Sequence, residues 1–373
     1  MKVLLISVGA HFGGIEKLEL EYSKRISYDN IQFDILALND KTFKDRNIEE
    51  LDNINIYDLG MNSFTRKNQR IYDYRLYKFL KKHKYDVIHI NSDVFYYSFR
   101  VIIIAKLCGI KKVIMHSHGN TNTNILKKIF RFIMNPIYRS FVNKFLVCSE
   151  DAKKPLLNKG FINKNKTNKK VVILNNGIEV EKYKFDKKIR DKYRKELDIN
   201  DKIVYGYISR LSKEKNHKYL IDLFNEIQKK QDNAVLVLAG EGPLENKIKE
   251  YVKELSIENK VIFLGFRNDV NKILNAMDCF IFPSMHEGLG IVAIEAQTNG
   301  LKVYCSNSIP IEAKISERLK YFDLSESKEK IAEIICKEKY DINDRKEAFK
   351  DTIKCGYDIN DVCEKLKGIY EEV

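Results

Sequence analysis

The stretch Phe282-Pro-Ser-Met-His-Glu-Gly-Leu-Gly-Ile-Val-Ala-Ile-Glu-Ala-Gln-Thr-Asn-Gly300 closes an apolar run, crosses a glycine-bearing loop and opens a helical pattern. It holds two carboxylates, Glu287 and Glu295, with seven residues between them. A helix beginning near Gly290 would aim the backbone N–H groups of residues 288–290 at whatever lies beyond the strand. Such a mouth suits an anion or a ring of hydroxyls. Gly288 and Gly290 leave room for close approach. Glu295, further along the helix, only accepts hydrogen bonds when ionised and suits a vicinal diol such as a ribose 2′,3′-pair. Two isolated acids are more often a helix cap and a helix-face residue, and it is the company of Pro283, Ser284, Gly288 and Gly290 that favours a site.

A strand-loop-helix unit of this kind belongs to a parallel sheet, and the chain is full of them. Short β-branched runs at 2–8, 33–38, 86–90, 112–116, 144–149 and 171–176 read as buried strands, with helical spacing at 14–27 and 68–83. A charged stretch from 181 reads as a linker with one short exposed helix. The alternation then restarts at 202–209, 234–240, 260–265, 278–283 and 301–306. Two βα series predict an α/β protein of two Rossmann-like, doubly wound domains, 1–180 and 181–357. A final helix over 358–373 can pack back on the first. In such sheets ligands sit beyond the carboxyl ends of the strands, so the informative residues should follow strands.

They do. Arg210 and Lys215 lie just past the strand at 202–209, where two cations can clamp a diphosphate, although in a chain with 66 Lys and Arg most cations are ordinary surface. Gly242 sits in a glycine turn before Pro243 and a helix, which fits phosphate approach or simply a tight turn. Gly13 and Gly14 follow the first strand without the spacing of a dinucleotide fingerprint. His116 and His118 alternate at another strand end and share a face. With no acid beside them, a hydrogen-bonding or charge-stabilising role fits better than a metal; His89 reads as structural.

Composition bounds the rest. The net charge is +14, and residues 61–180 hold 24 Lys and Arg against 6 Asp and Glu. That concentration predicts an anionic partner, and the basic, apolar pattern over 122–146 favours a membrane interface over nucleic acid, for which no binding motif is present. The seven Cys are unpatterned, which predicts reduced thiols. No apolar run approaches a spanning helix, and the amino terminus reads as a buried strand rather than a signal peptide. The expected location is cytoplasmic, peripheral on the inner face of the cell membrane.

Taken together, "RLSKEKNH", "LAGEGPLENKIKE", "VIFLGFRNDV", "DCFIFPSMHEGLGIVAIEAQTNGL" and "NNGIEVEKY" resemble family 4 of the glycosyltransferases, especially its bacterial capsule and exopolysaccharide branch. The resemblance is close over 200–355 and looser over 1–180, through "GGIEKL", "HSHG" and "NNGI". It implies a GT-B fold, two such domains facing across a cleft, and a retaining, metal-independent sugar transfer needing no cofactor. The donor would be a nucleotide-sugar, most commonly of UDP, and the acceptor a lipid-linked or oligosaccharide hydroxyl. By the same resemblance Arg210 and Lys215 hold the donor diphosphate, Glu295 binds the ribose, and Glu287 with the amides of Gly288, Leu289 and Gly290 holds the sugar. His116, with His118 as rival, faces the reacting sugar, Gly14 approaches the β-phosphate, and the base lies against Gly265, Phe266 and Arg267. The attack it implies is front-face, with the departing phosphate oxygen as base. The family usually has Gly where Ser209 stands, and a bulky residue and Pro where Leu289 and Gly290 stand; both departures bear on sugar preference. A nucleotide-sugar epimerase of the same architecture, or a non-catalytic glycan or nucleotide-sugar binder, are the competing readings.

Overall fold

Lys2–Ser7 (β1) is apolar at every position between its ends and is buried from Val3 onward, as a central parallel strand must be when helices cover both faces. In a computed structural model, which describes residues 1–7, 14–26, 30–37, 54–60, 66–92, 94–117, 138–150 and 170–372, β1 pairs in parallel with Gln32–Ala37 (β2) and Val87–Asn91 (β4). Asn55–Asp58 (β3), Lys112–Ser117 (β5), Lys144–Val147 (β6) and Val171–Ile173 (β7) complete a seven-stranded sheet in the order β3-β2-β1-β4-β5-β6-β7. The register places Ser7, Asn91 and His116 in one lateral row near the carboxyl ends.

A second sheet has six strands in the order β10-β9-β8-β11-β12-β13: Ile203–Ile208 (β8), Ala234–Ala239 (β9), Val261–Phe263 (β10), Cys279–Phe282 (β11), Lys302–Ser306 (β12) and Leu319–Phe322 (β13). Its strand pairings are all parallel. The chain divides into two compact units, one of Met1–Gly177 with Ile359–Val373 and one of Ile178–Asp358.

The carboxy-terminal helix Ile359–Glu372 belongs to the first unit. It buries Ile359, Val362, Cys363, Leu366, Ile369 and Tyr370, which recur at helical spacing and form one stripe. That stripe joins Leu18, Tyr22 and Ile26 of the helix Gly14–Ile26 and Phe33 and Ile35 of β2 in a single core. Gly177 marks a close approach: a β-carbon there would lie 2.9 Å from the Ile359 backbone.

Two strands escape the sequence pattern, β3 and β13. Both lie at sheet edges and are four residues long, and β3 is only partly buried, so neither shows a full apolar run. The charged stretch after 181 is also more than an exposed linker. Its helix Lys187–Glu196 buries Arg190, Tyr193 and Arg194, which a polarity count reads as solvent-facing.

Candidate functional site

In the second sheet the chain runs from β8 outward to β9 and β10, then crosses to β11 on the other side of β8. The strand order therefore reverses between β8 and β11, the kind of switch point at whose carboxyl ends such sheets form a ligand crevice. Its two walls are the loops that carry the predicted residues.

On one wall, β8 runs into Ser209 and Arg210, a 3₁₀ turn Lys213–Lys215, and a left-handed Asn216 that starts the helix His217–Gln228. On the other, β11 runs into Pro283–Gly290 and the helix Ile291–Thr298. Gly290 caps that helix at φ +83°, and a β-carbon there would sit 2.9 Å from the Phe282 ring. Glycine is thus required both by its left-handed backbone and by the closeness of Phe282.

The walls are fastened together by buried groups. The Tyr207 phenol lies 2.8 Å from Ser284 Oγ and donates to the Lys215 carbonyl at 3.2 Å, and burial drives its pKa above the usual phenol range. The Met285 N–H donates to the Glu214 carbonyl at 2.8 Å, and Asn216 Nδ2 to the Pro283 carbonyl at 3.2 Å. Ser306 Oγ holds the Ser284 carbonyl from β12 at 2.5 Å. The Ser212 hydroxyl donates to the Glu214 carboxylate at 2.5 Å and is the main reason that acid sits below its ordinary pKa.

Across the crevice Lys215 Nζ donates to Glu287 Oε1 at 2.5 Å, so the predicted phosphate cation and the predicted sugar carboxylate meet directly. Arg210 is exposed at the tip of β8, and its guanidinium donates to no described residue. Glu295 lies one turn inside the helix Ile291–Thr298 and accepts from the Tyr183 hydroxyl at 2.6 Å. Leu289 is buried in the core, which leaves its backbone, not its side chain, to face a ligand.

The neighbouring loops pack edge to edge. Gly240 N–H donates to the Gly265 carbonyl at 2.7 Å, and Leu211 N–H to the Glu241 carbonyl at 2.9 Å. A β-carbon on Gly242 would lie 2.5 Å from the Leu211 carbonyl oxygen. The glycine at 242 is therefore needed by the packing of two loops. Gly265 has φ +64° with open space around it, and Phe266 beside it is 45% exposed, as a stacking surface requires. Arg267 is engaged elsewhere: its Nε and a terminal nitrogen donate to the two Asp269 oxygens at 2.8 and 2.6 Å. Those bonds, with one from Tyr193, hold Asp269 down at about pKa 2.

His217, unmarked in the sequence, stands beside Ser209 with 3.1 Å between Nε2 and Oγ. Burial, then Lys215, lowers its pKa to about 4 and keeps it neutral. Tyr183 and Tyr207 were equally silent as site residues, because each acts through a hydroxyl whose side-chain partner lies far along the chain.

In the first unit His116 is wholly buried on β5, its ring stacked on His89 with centroids 5.4 Å apart. His89 Nδ1 lies 2.6 Å from the Tyr370 hydroxyl, in keeping with a structural role. Gly14 opens the helix Gly14–Ile26, while Gly13, His118 and most of the 122–146 segment lie outside the described residues. Two acids on that helix went unread. Glu16 accepts from Ser7 Oγ at 3.1 Å, and Glu19 is fully buried, its pKa raised first by burial and then by Glu16. Among the described residues no helix is long and apolar enough to cross a membrane.

Comparison with known proteins decides the family. The model "Glycosyltransferase Family 4" matches residues 12–182, and "Glycosyl transferases group 1" matches 189–349, so that between them they span nearly all of both units. The chain belongs to the family 4 glycosyltransferases. This glycosyltransferase is 26% identical to the putative glycosyltransferase EpsF of Bacillus subtilis, over 99% of the chain and 96% of that protein. It is 29% identical to the UDP-Gal:alpha-D-GlcNAc-diphosphoundecaprenol alpha-1,3-galactosyltransferase of Escherichia coli, over 62% of the chain and 60% of that protein. Anabaena Alr3699/HepE, crystallised in complex with UDP and glucose, superposes with a TM-score of 0.78 at 19% identity, each chain being covered in full. The fold is GT-B, with two parallel-sheet Rossmann-like units.

Proposed function

We propose that this glycosyltransferase moves a sugar from a UDP-sugar to a hydroxyl of a lipid-linked surface glycan, with retention at the anomeric carbon. The observation that carries the reading is the crevice between β8 and β11: Arg210 exposed on one wall, Lys215 on Glu287 across it, and Glu295 one turn into the facing helix. Arg210 and Lys215 take the diphosphate, Glu295 the ribose, and Glu287 with the amides of residues 288–290 the sugar hydroxyls. The base lies against Gly265 and Phe266; Arg267 braces that loop through Asp269. From the first unit we assign the reacting sugar to His116, buried at the end of β5, with His118 as its rival, and the approach to the β-phosphate to Gly14.

In the reaction the C1–O bond to the diphosphate breaks and its electron pair stays on the β-phosphate oxygen. The acceptor oxygen bonds to C1 on the same face, and its proton passes to that phosphate oxygen. Charge gathers on the leaving group, where the two cations and the helix mouth supply fixed positive potential. Relatives and neighbours whose names include UDP and an undecaprenol-linked acceptor support the donor and acceptor classes.

Thermal shift with UDP, GDP and ADP tests the donor. UDP at 100 times its Kd should add about 2.7 kcal/mol of stability, while GDP and ADP at the same concentration add little. A panel in which no nucleotide raises Tm contradicts the reading.

We read the first unit as the acceptor side and place it beside a membrane surface. The helix Arg66–His83 exposes Ile71, Tyr74 and Tyr77, with Lys78 Nζ 4.5 Å over the Tyr74 ring and Lys81 Nζ 5.9 Å over that of Tyr77. Aromatic rings interleaved with Lys and Arg suit an anionic lipid interface. Sedimentation with anionic liposomes is expected to pull down the chain at low salt and release it at high salt. Equal recovery with neutral liposomes contradicts this contact.

A further inference from the structure

We infer that Tyr183 is the positioning residue that sets ribose recognition, by fixing the rotation of the Glu295 carboxylate. The inference rests on the reading of Glu295 as the ribose ligand.

Tyr183 ends the short helix Val180–Tyr183 and is 5% exposed. Its hydroxyl donates to Glu295 Oε1 at 2.6 Å. Its carbonyl accepts from Asn299 Nδ2 at 3.0 Å. Glu295 and Asn299 stand four residues apart and so share one face of the helix Ile291–Thr298 and its cap. Tyr183 is thus held at both ends along that face, main chain to Asn299 and phenol to Glu295. A second tether comes from Asn271 Nδ2, which donates to the Lys182 carbonyl at 3.0 Å.

The phenol is rigid and its reach is set by the backbone, so the oxygen it binds has a fixed place. A free Glu side chain samples several rotamers, and a broad torsion at its carboxylate. A bidentate contact with two adjacent hydroxyls needs one of those rotations. A carboxylate offers about four acceptor sites, and the phenol bond takes only one of them. The residue lies 112 positions before Glu295, inside the "NNGIEVEKY" stretch that the sequence marks without assigning it a role.

The experiment compares UDP with 2′,3′-dideoxy-UDP by calorimetry, using the full chain as wild type, Tyr183→Phe and Glu295→Gln. Phenylalanine keeps the ring in the core and removes only the hydroxyl. The wild type is expected to prefer UDP over the dideoxy nucleotide by about tenfold or more, the scale of one hydrogen bond to a charged group. Tyr183→Phe should lose most of that preference through weaker UDP binding, with dideoxy-UDP affinity unchanged. Equal loss for both nucleotides would mean a purely structural role, and an unchanged preference would mean none; either overturns the inference. Glu295→Gln separates the two levels. A preference that survives Glu295→Gln, or a wild type that shows none, removes Glu295 as the ribose ligand. A preference abolished by Glu295→Gln but retained in Tyr183→Phe removes only Tyr183.

Discussion

Replacing Arg210 by alanine is expected to lower turnover about 10²–10³-fold, the usual cost of removing one fixed donor from a centre where charge develops. The reason lies in how the two cations of the crevice are arranged. Lys215 is already matched by Glu287 at 2.5 Å, so part of its field is spent within the protein. Arg210 is exposed and donates to no described residue, so its field is available to a diphosphate. Its planar fork also suits paired phosphate oxygens, which a lysine does not match. Arg210→Lys should therefore recover only part of the loss. The fold should be indifferent, because the side chain is at the surface. Steady-state assays with a UDP-sugar and thermal melts together check this: a tenfold or smaller fall in kcat, or a large drop in Tm, would contradict it.

Asp278→Ala is expected to destabilise the second unit by about 3–5 kcal/mol, because it strands two buried guanidinium groups. Asp278 precedes β11 and takes Arg190 at 2.5 Å and Arg194 at 3.1 Å, all three side chains being a tenth exposed or less. It also accepts from the Val204 N–H at 2.8 Å, which fixes the amino end of β8. The arginines are tied to the carbonyls of Asn275, Ala276 and Met277 as well, so they cannot swing out to water cheaply. At roughly 2–4 °C per kcal/mol for a unit of this size, Tm should fall by roughly 6–20 °C. Asp278→Asn keeps the acceptor to Val204 but not the charge, and should fall between the two. The site loops leave the other end of β11, about 13 Å away at ordinary strand rise. Folded Asp278→Ala protein should therefore still bind UDP. A melt within 2 °C of wild type would show that the arginines do not need their counter-ion.

The contrast between these two residues shows what a single chain reveals. Arg210 was legible because it follows a strand, and parallel sheets place ligands there. The Glu287–Glu295 pair was legible because glycines and a helix start surround it, and the buried strands because apolar runs alternate with helical spacing. Asp278, Arg190 and Arg194 were not, since a charged helix reads as solvent-facing until its partner is known. Edge strands β3 and β13 were lost because an edge is only partly buried. Tyr183 and Tyr207 work through hydroxyls at the rim of the core, where the ring alone explains their presence. Gly242 was left open between phosphate approach and a tight turn, because the Leu211 backbone that packs against it lies in another loop.

The most direct measurement is a crystal structure of the chain with UDP. The diphosphate should lie at the carboxyl ends of β8 and β11, with Arg210 and Lys215 nitrogens about 2.7–3.2 Å from its oxygens and Glu295 on the ribose diol. A diphosphate bound away from both cations, or a ribose with no contact to Glu295, would contradict the assignment of this crevice as the donor site.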